Sequence, residues 1–252
     1  MIPTEHAAND SAHRGRHICL PFESESEKEA AVLSFMHEGL AHGNRCLFVG
    51  TRAEYEQLGL LLEEEGICSL RAESRGALIF STQEDEYLTN GVFDPNAVLT
   101  RIDRYIKEAL ADGFTGLCAT GELMNVPSDA LWREIVWYEA QINENFARLP
   151  FVGLCRYPRT VVPPNRVQDV LRTHPIAIVR GETCDNPFYE RPELALSDDS
   201  QARLDWQLRQ LRVQNRVQRH LEDKTTSAVT AAVELATELE TLRSSIRDSR
   251  TP

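Results

Sequence analysis

The sequence lacks the features that usually indicate catalysis, export or membrane insertion. Its 252 residues contain no apolar run near the roughly 18 residues that a membrane-spanning helix needs. The first 16 residues are polar and have no hydrophobic signal core, so nothing in them predicts export. None of the six cysteines forms a C-x-x-C pair, and no histidine joins a serine, cysteine or aspartate in a recognisable nucleophile motif. These absences favour a non-catalytic protein of the cytoplasm.

Glycine is also missing from the turn where many α/β proteins hold a phosphate. A short apolar run, His17–Phe22, predicts a buried strand, and Ser26–His42 has the pattern of an amphipathic helix. A phosphate-binding turn between them would offer glycines and a lysine. The segment Phe22–Glu29 instead has no glycine and sets four glutamates against the single Lys28. Acidic side chains favour a helix N-terminus but repel a polyphosphate, which predicts a nucleotide-type scaffold without nucleotide chemistry.

Composition indicates the size of the domain and the class of partner that it could bind. An apolar fraction of 42% supports a substantial core, and the length suits one domain of about 200 residues plus an appendage. The net charge of −12 argues against general binding of nucleic acid.

The sequence predicts that the cysteines are buried, reduced thiols. Four of them fall in apolar strand-like runs: Cys19, Cys46, Cys118 and Cys155. A metal or redox centre would require cysteines to converge with His17 or His174. Adjacent strands could allow that convergence, but no spacing motif supports it. We therefore assign no metal ligand and no cofactor.

Short apolar runs alternate with helical periods from Arg16 to Tyr189. The candidate strands are His17–Phe22, Arg45–Gly50, Ala77–Ser81, Gly116–Thr120, Phe151–Arg156 and Ile176–Arg180. The candidate helices are Ser26–His42, Arg52–Glu65, Pro95–Asp112, Asp129–Arg148 and Pro164–Thr173. Such alternation predicts an open, mostly parallel sheet with helices on both faces.

One connection, Ser81–Phe93, is too long for a minimal turn and shows no clear helix. Long loops at the carboxyl end of a sheet often cover a site. We expect Tyr87 and Leu88 to close over a ligand while Glu84, Asp85 and Glu86 stay in water. A solvated excursion without a function is the competing interpretation.

The C-terminal part is helical, with almost no glycine or proline. We expect a disordered tail at 1–15, the α/β domain at 16–192, a linker at 193–200 and a helical or coiled-coil segment at 201–249. Leucines and small residues repeat with alternating spacings of four and three, which is typical of a coiled coil. The register shifts by one residue, so either the coil slips or the chain turns near Asp223–Ser227. The segment 201–246 therefore predicts a homodimer, with a hairpin folded back on the α/β domain as the alternative.

Several short motifs, in order, resemble one known family. They are His17-Ile-Cys-Leu-Pro-Phe-Glu-Ser24, Glu38-Gly-Leu-Ala-His-Gly-Asn-Arg-Cys-Leu-Phe-Val-Gly50, Phe93-Asp-Pro95, Gly113-Phe-Thr-Gly-Leu-Cys-Ala-Thr-Gly-Glu122, Leu149-Pro-Phe-Val-Gly-Leu-Cys-Arg-Tyr157, Arg172-Thr-His-Pro175 and Asn186-Pro-Phe-Tyr189. Together they span roughly Arg16 to Pro192 and resemble the MEDS sensory domain. The resemblance implies a sensory domain, with hydrocarbon derivatives as the suggested stimulus in some relatives.

The MEDS family is in turn similar to the RecA-like ATPases of the circadian-clock type, which implies a RecA-like fold. Their phosphate loop, G-x-x-x-x-G-K-[ST], would fall at Phe22–Glu29, where only Lys28 has a counterpart. The strand Gly116–Thr120 would hold the metal-binding aspartate, yet it continues to Glu122 without one. Both halves of the phosphate and magnesium machinery are therefore missing.

Ligands of open α/β sheets bind beyond the carboxyl ends of the strands. The candidate ligand-binding residues at that rim are Phe22, Glu23, Ser24, Thr51, Thr82, Tyr87, Thr120, Glu122, Arg156 and Tyr157. Glu122 is the best polar anchor if it points inward, and Arg156 could pair with it. The alternative is a solvent-facing Glu122 and a surface Arg156. No catalytic residue is assigned.

The sequence thus predicts a non-enzymatic sensory module of the cytoplasm. It would respond to a small molecule, with a hydrocarbon derivative as the suggested class, and signal through its C-terminal helix to a regulatory protein partner. The alternative is a residual RecA-like nucleotide-binding protein or ATPase.

Overall fold

The computed structural model describes the backbone of residues 15–122, 126 and 128–248, and side chains as far as residue 239. The predicted disordered tail therefore lies outside the described residues, apart from Gly15. The chain divides into two compact units, Met1–Ser197 and Asp198–Pro252. The first is the α/β domain and the second contains a long helix.

Nine strands occur in the described part of the α/β domain. They are β1 (Arg16–Phe22), β2 (Arg45–Val49), β3 (Leu78–Ser81), β4 (Leu88–Thr89), β5 (Val92–Phe93), β6 (Leu117–Glu122), β7 (Phe151–Pro158), β8 (Ile176–Val179) and β9 (Glu182–Asp185). Seven of them form one sheet in the order β3-β2-β6-β7-β1-β8-β9, and only the β8–β9 pair is antiparallel. The predicted open, mostly parallel sheet is confirmed.

The helices connect these strands. They are α1 (Glu25–Ala41), α2 (Arg52–Glu64), α3 (Ser69–Ser74), α4 (Gln83–Tyr87), α5 (Pro95–Ala111), α6 (Asp129–Phe146), α7 (Pro164–Thr173), α8 (Pro192–Ala195) and α9 (Ser200–Asp248). The glycines expected just beyond α1, α2 and α5 adopt positive φ values of 73°, 83° and 86°. Since L side chains rarely adopt that conformation, Gly43, Gly66 and Gly113 end these helices.

The sheet separates two hydrophobic cores. Alternate residues of β1 face opposite sides, so Cys19 packs in one core and Ile18 and Leu20 pack in the other. Helices α5, α6 and α7 cover the Cys19 face, whereas α1 and α2 cover the Leu20 face. Helices on both faces explain why the central strands are apolar on both sides.

The connection after β3 is folded rather than open. Thr82 caps α4 by accepting a hydrogen bond from the Asp85 backbone, and a hairpin of β4 and β5 follows. The hairpin turns at Asn90-Gly91, with φ values of 54° and 79°. Glu86 is buried and accepts hydrogen bonds from the hydroxyls of Ser81 and Tyr105. The expectation that Glu86 stays in water is therefore wrong, because these two donors satisfy its carboxylate.

The beginning of the predicted linker is also folded. Residues 192–195 form α8, in which Ala195 is buried, and its carbonyl accepts a hydrogen bond from Arg172 at 2.9 Å. The described cysteines are all free thiols.

The described residues of the C-terminal unit contain one long helix. Helix α9 continues through Asp223–Ser227 without a turn, so the hairpin alternative lacks the bend that it requires. Within α9, apolar side chains such as Leu208, Leu221 and Leu235 are more than half exposed. None of the described helices combines the length and the apolar character needed to cross a membrane.

Candidate functional site

The carboxyl ends of the parallel strands meet at one rim of the sheet, where the predicted site residues lie. Lys28, in the first turns of α1, is only 7% exposed, and its Nζ lies 2.5 Å from Glu25 and 2.7 Å from Glu54. Burial lowers the pKa of Lys28, but its hydrogen bonds with the two glutamates outweigh burial and raise it. Lys28, which the sequence analysis aligned with the lysine of a phosphate loop, is therefore engaged in internal ion pairs.

Arg156 completes this rim cluster, which we define as Lys28, Glu54, Glu122 and Arg156. Its guanidinium is fully buried over the ring of Phe48, at 4.8 Å from the ring centre. Its Nη2 donates to the carbonyl of Val49 at 2.5 Å, and its Nη1 lies 4.0 Å from Glu54. Its Nε has no hydrogen-bond partner among the residues that the structure describes.

Glu54 holds the cluster together. Burial opposes its ionisation, but Lys28, the donors of Thr51 and the charge of Arg156 outweigh burial and lower its pKa to about 2. The same carboxylate accepts hydrogen bonds from the backbone and hydroxyl of Thr51, which forms a capping box at the start of α2. One carboxylate thus caps a helix and lies within 4.0 Å of two buried cations.

Glu122 points inward, as the anchor hypothesis requires. It is 6% exposed and lies opposite Arg156 in the register of β6 and β7. Burial raises its pKa, against the charges of Arg156 and Lys28. However, among the described residues Glu122 has no ion pair within 4.0 Å, and its Oε2 has no hydrogen-bond partner there. The alternative of a solvent-facing Glu122 and a surface Arg156 is wrong, because both side chains are buried.

The predicted serine and threonine side chains mostly form hydrogen bonds with backbone groups. Ser24, Thr51 and Thr82 are the N-caps of α1, α2 and α4. Thr120 is buried and donates to the carbonyl of Leu154 at 3.0 Å. These four side chains already have intramolecular partners, so the geometry offers no evidence that they bind a ligand.

The remaining predicted residues do not converge on one cavity. Phe22 is buried in the Leu20 core, and Glu23 pairs with Arg159 at the surface. Tyr87 lies against β6, so that a Cβ at Gly121 would stand 1.9 Å from its hydroxyl oxygen. The cavity beside Lys28, Glu54 and Arg156 measures only about 40 Å³, which leaves room for a few water molecules and not for a nucleotide.

A larger cleft lies elsewhere, between α1 and strands β1, β7, β8 and β9. It measures about 580 Å³, which is in the range of small-molecule sites. Its lining combines apolar side chains, such as Ile18, Phe35 and Ile178, with the charged side chains of Arg16, Glu27, Glu38 and Arg180. The sequence analysis missed the cleft, because β9 and the pairing of β8 with β1 were not predicted.

A second polar cluster is buried on the opposite face of the sheet. It consists of His17 on β1, Glu139 on α6, Cys155 on β7 and His174 after α7, and their ligating atoms lie within 4.8 Å of one another. The sequence analysis named three of these residues but found no spacing that joins them. The pairing of β1 with β7 and the packing of α6 and α7 bring them together.

The electrostatics of this second cluster centre on Glu139. Burial opposes its ionisation, but its interactions with His17 and His174 outweigh burial and lower its pKa. Tyr157, expected at the rim, instead donates its hydroxyl to Glu139 Oε1 at 2.6 Å. Burial, and then the nearby His174, lower the pKa of His17 to about 4, and burial raises that of Cys155. These are the residues that could hold a metal ion.

Comparison with known proteins gives one family match. Residues 16–175 match the model of a family described as MEDS, the MEthanogen/methylotroph, DcmR Sensory domain. No curated protein matches the chain. Among solved structures, a KaiC-like protein from the hyperthermophilic archaeon Pyrococcus horikoshii is similar at 14% identity, with a TM-score of 0.45, over 65% of this chain and 70% of that chain.

The rim cluster predicts how the unfolding free energy depends on pH. Because the pKa of Glu54 falls from 4.5 to about 2 on folding, its stabilising contribution is complete above about pH 4.5. The contribution is lost as the pH falls towards 2. We expect Glu54→Gln to cost about 1–3 kcal/mol at pH 7, measured by urea unfolding, and progressively less at lower pH. Glu56→Gln, at an exposed position of the same helix, is the matched control. Equal costs for both variants would contradict the buried ion pairs.

Proposed function

Because the chain belongs to the MEDS family of sensory domains, we propose that it is a non-enzymatic sensory module. In this proposal the α/β domain binds a small molecule, and α9 transmits the signal to a regulatory partner. The observation that carries the proposal is the rim cluster, in which Glu25 and Glu54 pair with Lys28 and Glu54 also lies 4.0 Å from Arg156. Because these ion pairs occupy the rim, a ligand would have to bind elsewhere on the domain.

The rim cluster argues against the alternative of a residual nucleotide-binding protein or ATPase. A polyphosphate would have to displace Glu25 and Glu54 from Lys28 while approaching the further glutamates of the turn. The first turn of α1 lacks the glycines that would let backbone amides approach a phosphate. The cavity of about 40 Å³ at this place would also have to open.

The proposal puts the ligand in the cleft between α1 and β9. The cleft has a suitable volume and an apolar wall, whereas the rim cluster leaves almost no free space. The apolar side chains of the cleft favour a molecule with substantial hydrocarbon character. The two arginines and two glutamates of the lining, Arg16, Arg180, Glu27 and Glu38, balance in charge, which favours an uncharged molecule. Ligand binding by the rim residues chosen from sequence remains a prediction. The small free volume beside the rim cluster does not favour it.

The proposal also gives α9 a role in dimerisation. A single helix cannot bury its own apolar stripe, and the side chains of Leu221, Val229 and Leu235 are exposed along it. Pairing with a second copy would bury these residues in a coiled-coil seam. A change at the cleft could then alter the register or rotation of the paired helices, a common route for signals in dimers.

Nucleotide binding can be tested by thermal unfolding of the full chain with and without ATP and magnesium. We expect no change in Tm, although a ligand present at a hundred times its Kd would stabilise the fold by about 2.7 kcal/mol. A rise in Tm that disappears in Lys28→Ala would show that the rim still binds phosphate and would overturn this part of the proposal.

Dimerisation can be tested by sedimentation of the full chain beside a chain that ends at Ser197. We expect a dimer for the first and a monomer for the second. Leu235→Asp should raise the dimer dissociation constant at least tenfold, because each copy loses a buried leucine worth about 1.5–3 kcal/mol. Thr230→Asp, which lies outside the leucine stripe, should change it little. Two monomers, or equal effects of the two substitutions, would exclude a coiled-coil dimer.

A further inference from the structure

We propose that His17, Glu139, Cys155 and His174 form a buried site for one divalent transition-metal ion, with zinc as the best match. This inference does not depend on the proposed function. It concerns the face of the sheet opposite the rim cluster and the cleft. The four side chains come from β1, α6, β7 and the residue after α7, so the ion would tie four segments of the fold together.

The spacing of the ligating atoms suits tetrahedral coordination. His17 Nε2 lies 3.0 Å from Glu139 Oε2 and 3.3 Å from Cys155 Sγ. Glu139 Oε2 lies 3.5 Å from His174 Nε2 and 3.6 Å from Cys155 Sγ. Bonds of about 2.0–2.1 Å to nitrogen or oxygen and about 2.3 Å to sulfur imply tetrahedral edges of roughly 3.3–3.6 Å. Small adjustments would therefore place all four atoms around one ion.

The hydrogen bonds of both imidazoles leave Nε2 available to a metal. His174 Nδ1 lies 2.8 Å from the carbonyl of Val170, which can only accept, so Nδ1 carries the proton. His17 Nδ1 faces Asn143 Oδ1 at 3.3 Å, and the Asn143 amide nitrogen donates to two carbonyls. Asn143 oxygen is therefore the acceptor. In their neutral forms, both rings then direct an Nε2 lone pair at the carboxylate of Glu139.

That arrangement is incomplete without a cation. Two neutral nitrogen lone pairs facing a carboxylate oxygen repel it, and His174 Nε2, in a residue with 0% exposure, has no hydrogen-bond partner in the described part of the chain. A divalent ion would satisfy both nitrogens and the carboxylate at once. When Cys155 binds as the thiolate, it releases one proton to solvent, and the charges of the ion, carboxylate and thiolate then sum to zero. A neutral set of this kind is the form that burial tolerates best.

The surrounding contacts are those that orient metal ligands. The carbonyl of Val170 and the amide oxygen of Asn143 fix the two rings through Nδ1, and the Tyr157 hydroxyl binds the outer oxygen of Glu139 at 2.6 Å. Two nitrogens, one sulfur and one oxygen favour zinc over magnesium or calcium, which prefer oxygen ligands alone. Four protein ligands leave no open position, so the site would be structural or regulatory.

The test is metal binding by the full chain after chelator treatment under reducing conditions. Titration with Co²⁺ should give one ion per chain, tetrahedral absorption bands and thiolate-to-cobalt charge transfer. Zinc at a hundred times its Kd should raise Tm by roughly 5–10 °C. A wild-type chain that remains folded but gives neither the charge-transfer band nor a rise in Tm would overturn the proposal.

Two variants and one control assign the ligands. Cys155→Ala should abolish the charge-transfer band, whereas Cys118→Ala, a buried cysteine on the other face of the sheet, should keep it. Tyr157→Phe removes only the hydrogen bond to Glu139, so it should weaken binding about 10–100-fold and keep the band. A band that survives Cys155→Ala would place the metal on other cysteines and contradict the assignment.

X-ray absorption of the zinc-loaded wild-type chain gives a readout that needs no variant. The proposal predicts one sulfur at about 2.3 Å and three nitrogen or oxygen ligands at about 2.0–2.2 Å. A first shell with no sulfur, or with two or more, would overturn it even if every substituted chain failed to fold.

Discussion

The buried charge of Glu139 is the constraint on which much of the α/β domain depends. A carboxylate that is only 4% exposed is costly unless its neighbours compensate it. Its contacts come from three segments that are far apart in the chain: His17 on β1, Cys155 and Tyr157 on β7, and His174 after α7. Correct pairing of β1 with β7, and docking of α6 and α7, are therefore required before this charge is satisfied.

The same physical rule explains the rim of the sheet. Lys28 and Arg156 are buried cations there, and Glu25 and Glu54 supply compensating negative charge. The chain belongs to the MEDS family of sensory domains.

Local signals predicted most of the fold, whereas the sites depend on contacts that sequence does not display. Apolar runs and the glycines after α1, α2 and α5 located the main strands and helices. The Asn90-Gly91 pair is typical of a hairpin turn, although the sequence analysis predicted only a long loop there. Glu139 also left a signal, because it lies among Ile135, Tyr138 and Ile142 on the buried face of α6. Its partners could not be named, since only the strand order brings His17 beside Cys155.

The most direct test of the sensory account is native mass spectrometry of the full chain purified from its own host. The account predicts a retained, uncharged small organic molecule and no nucleotide. The molecule should remain in Ala53→Phe, which adds bulk at an exposed site on α2, and should be lost in Ala31→Phe, which fills the cleft. A retained nucleotide, or a molecule held equally well by Ala31→Phe, would contradict the account.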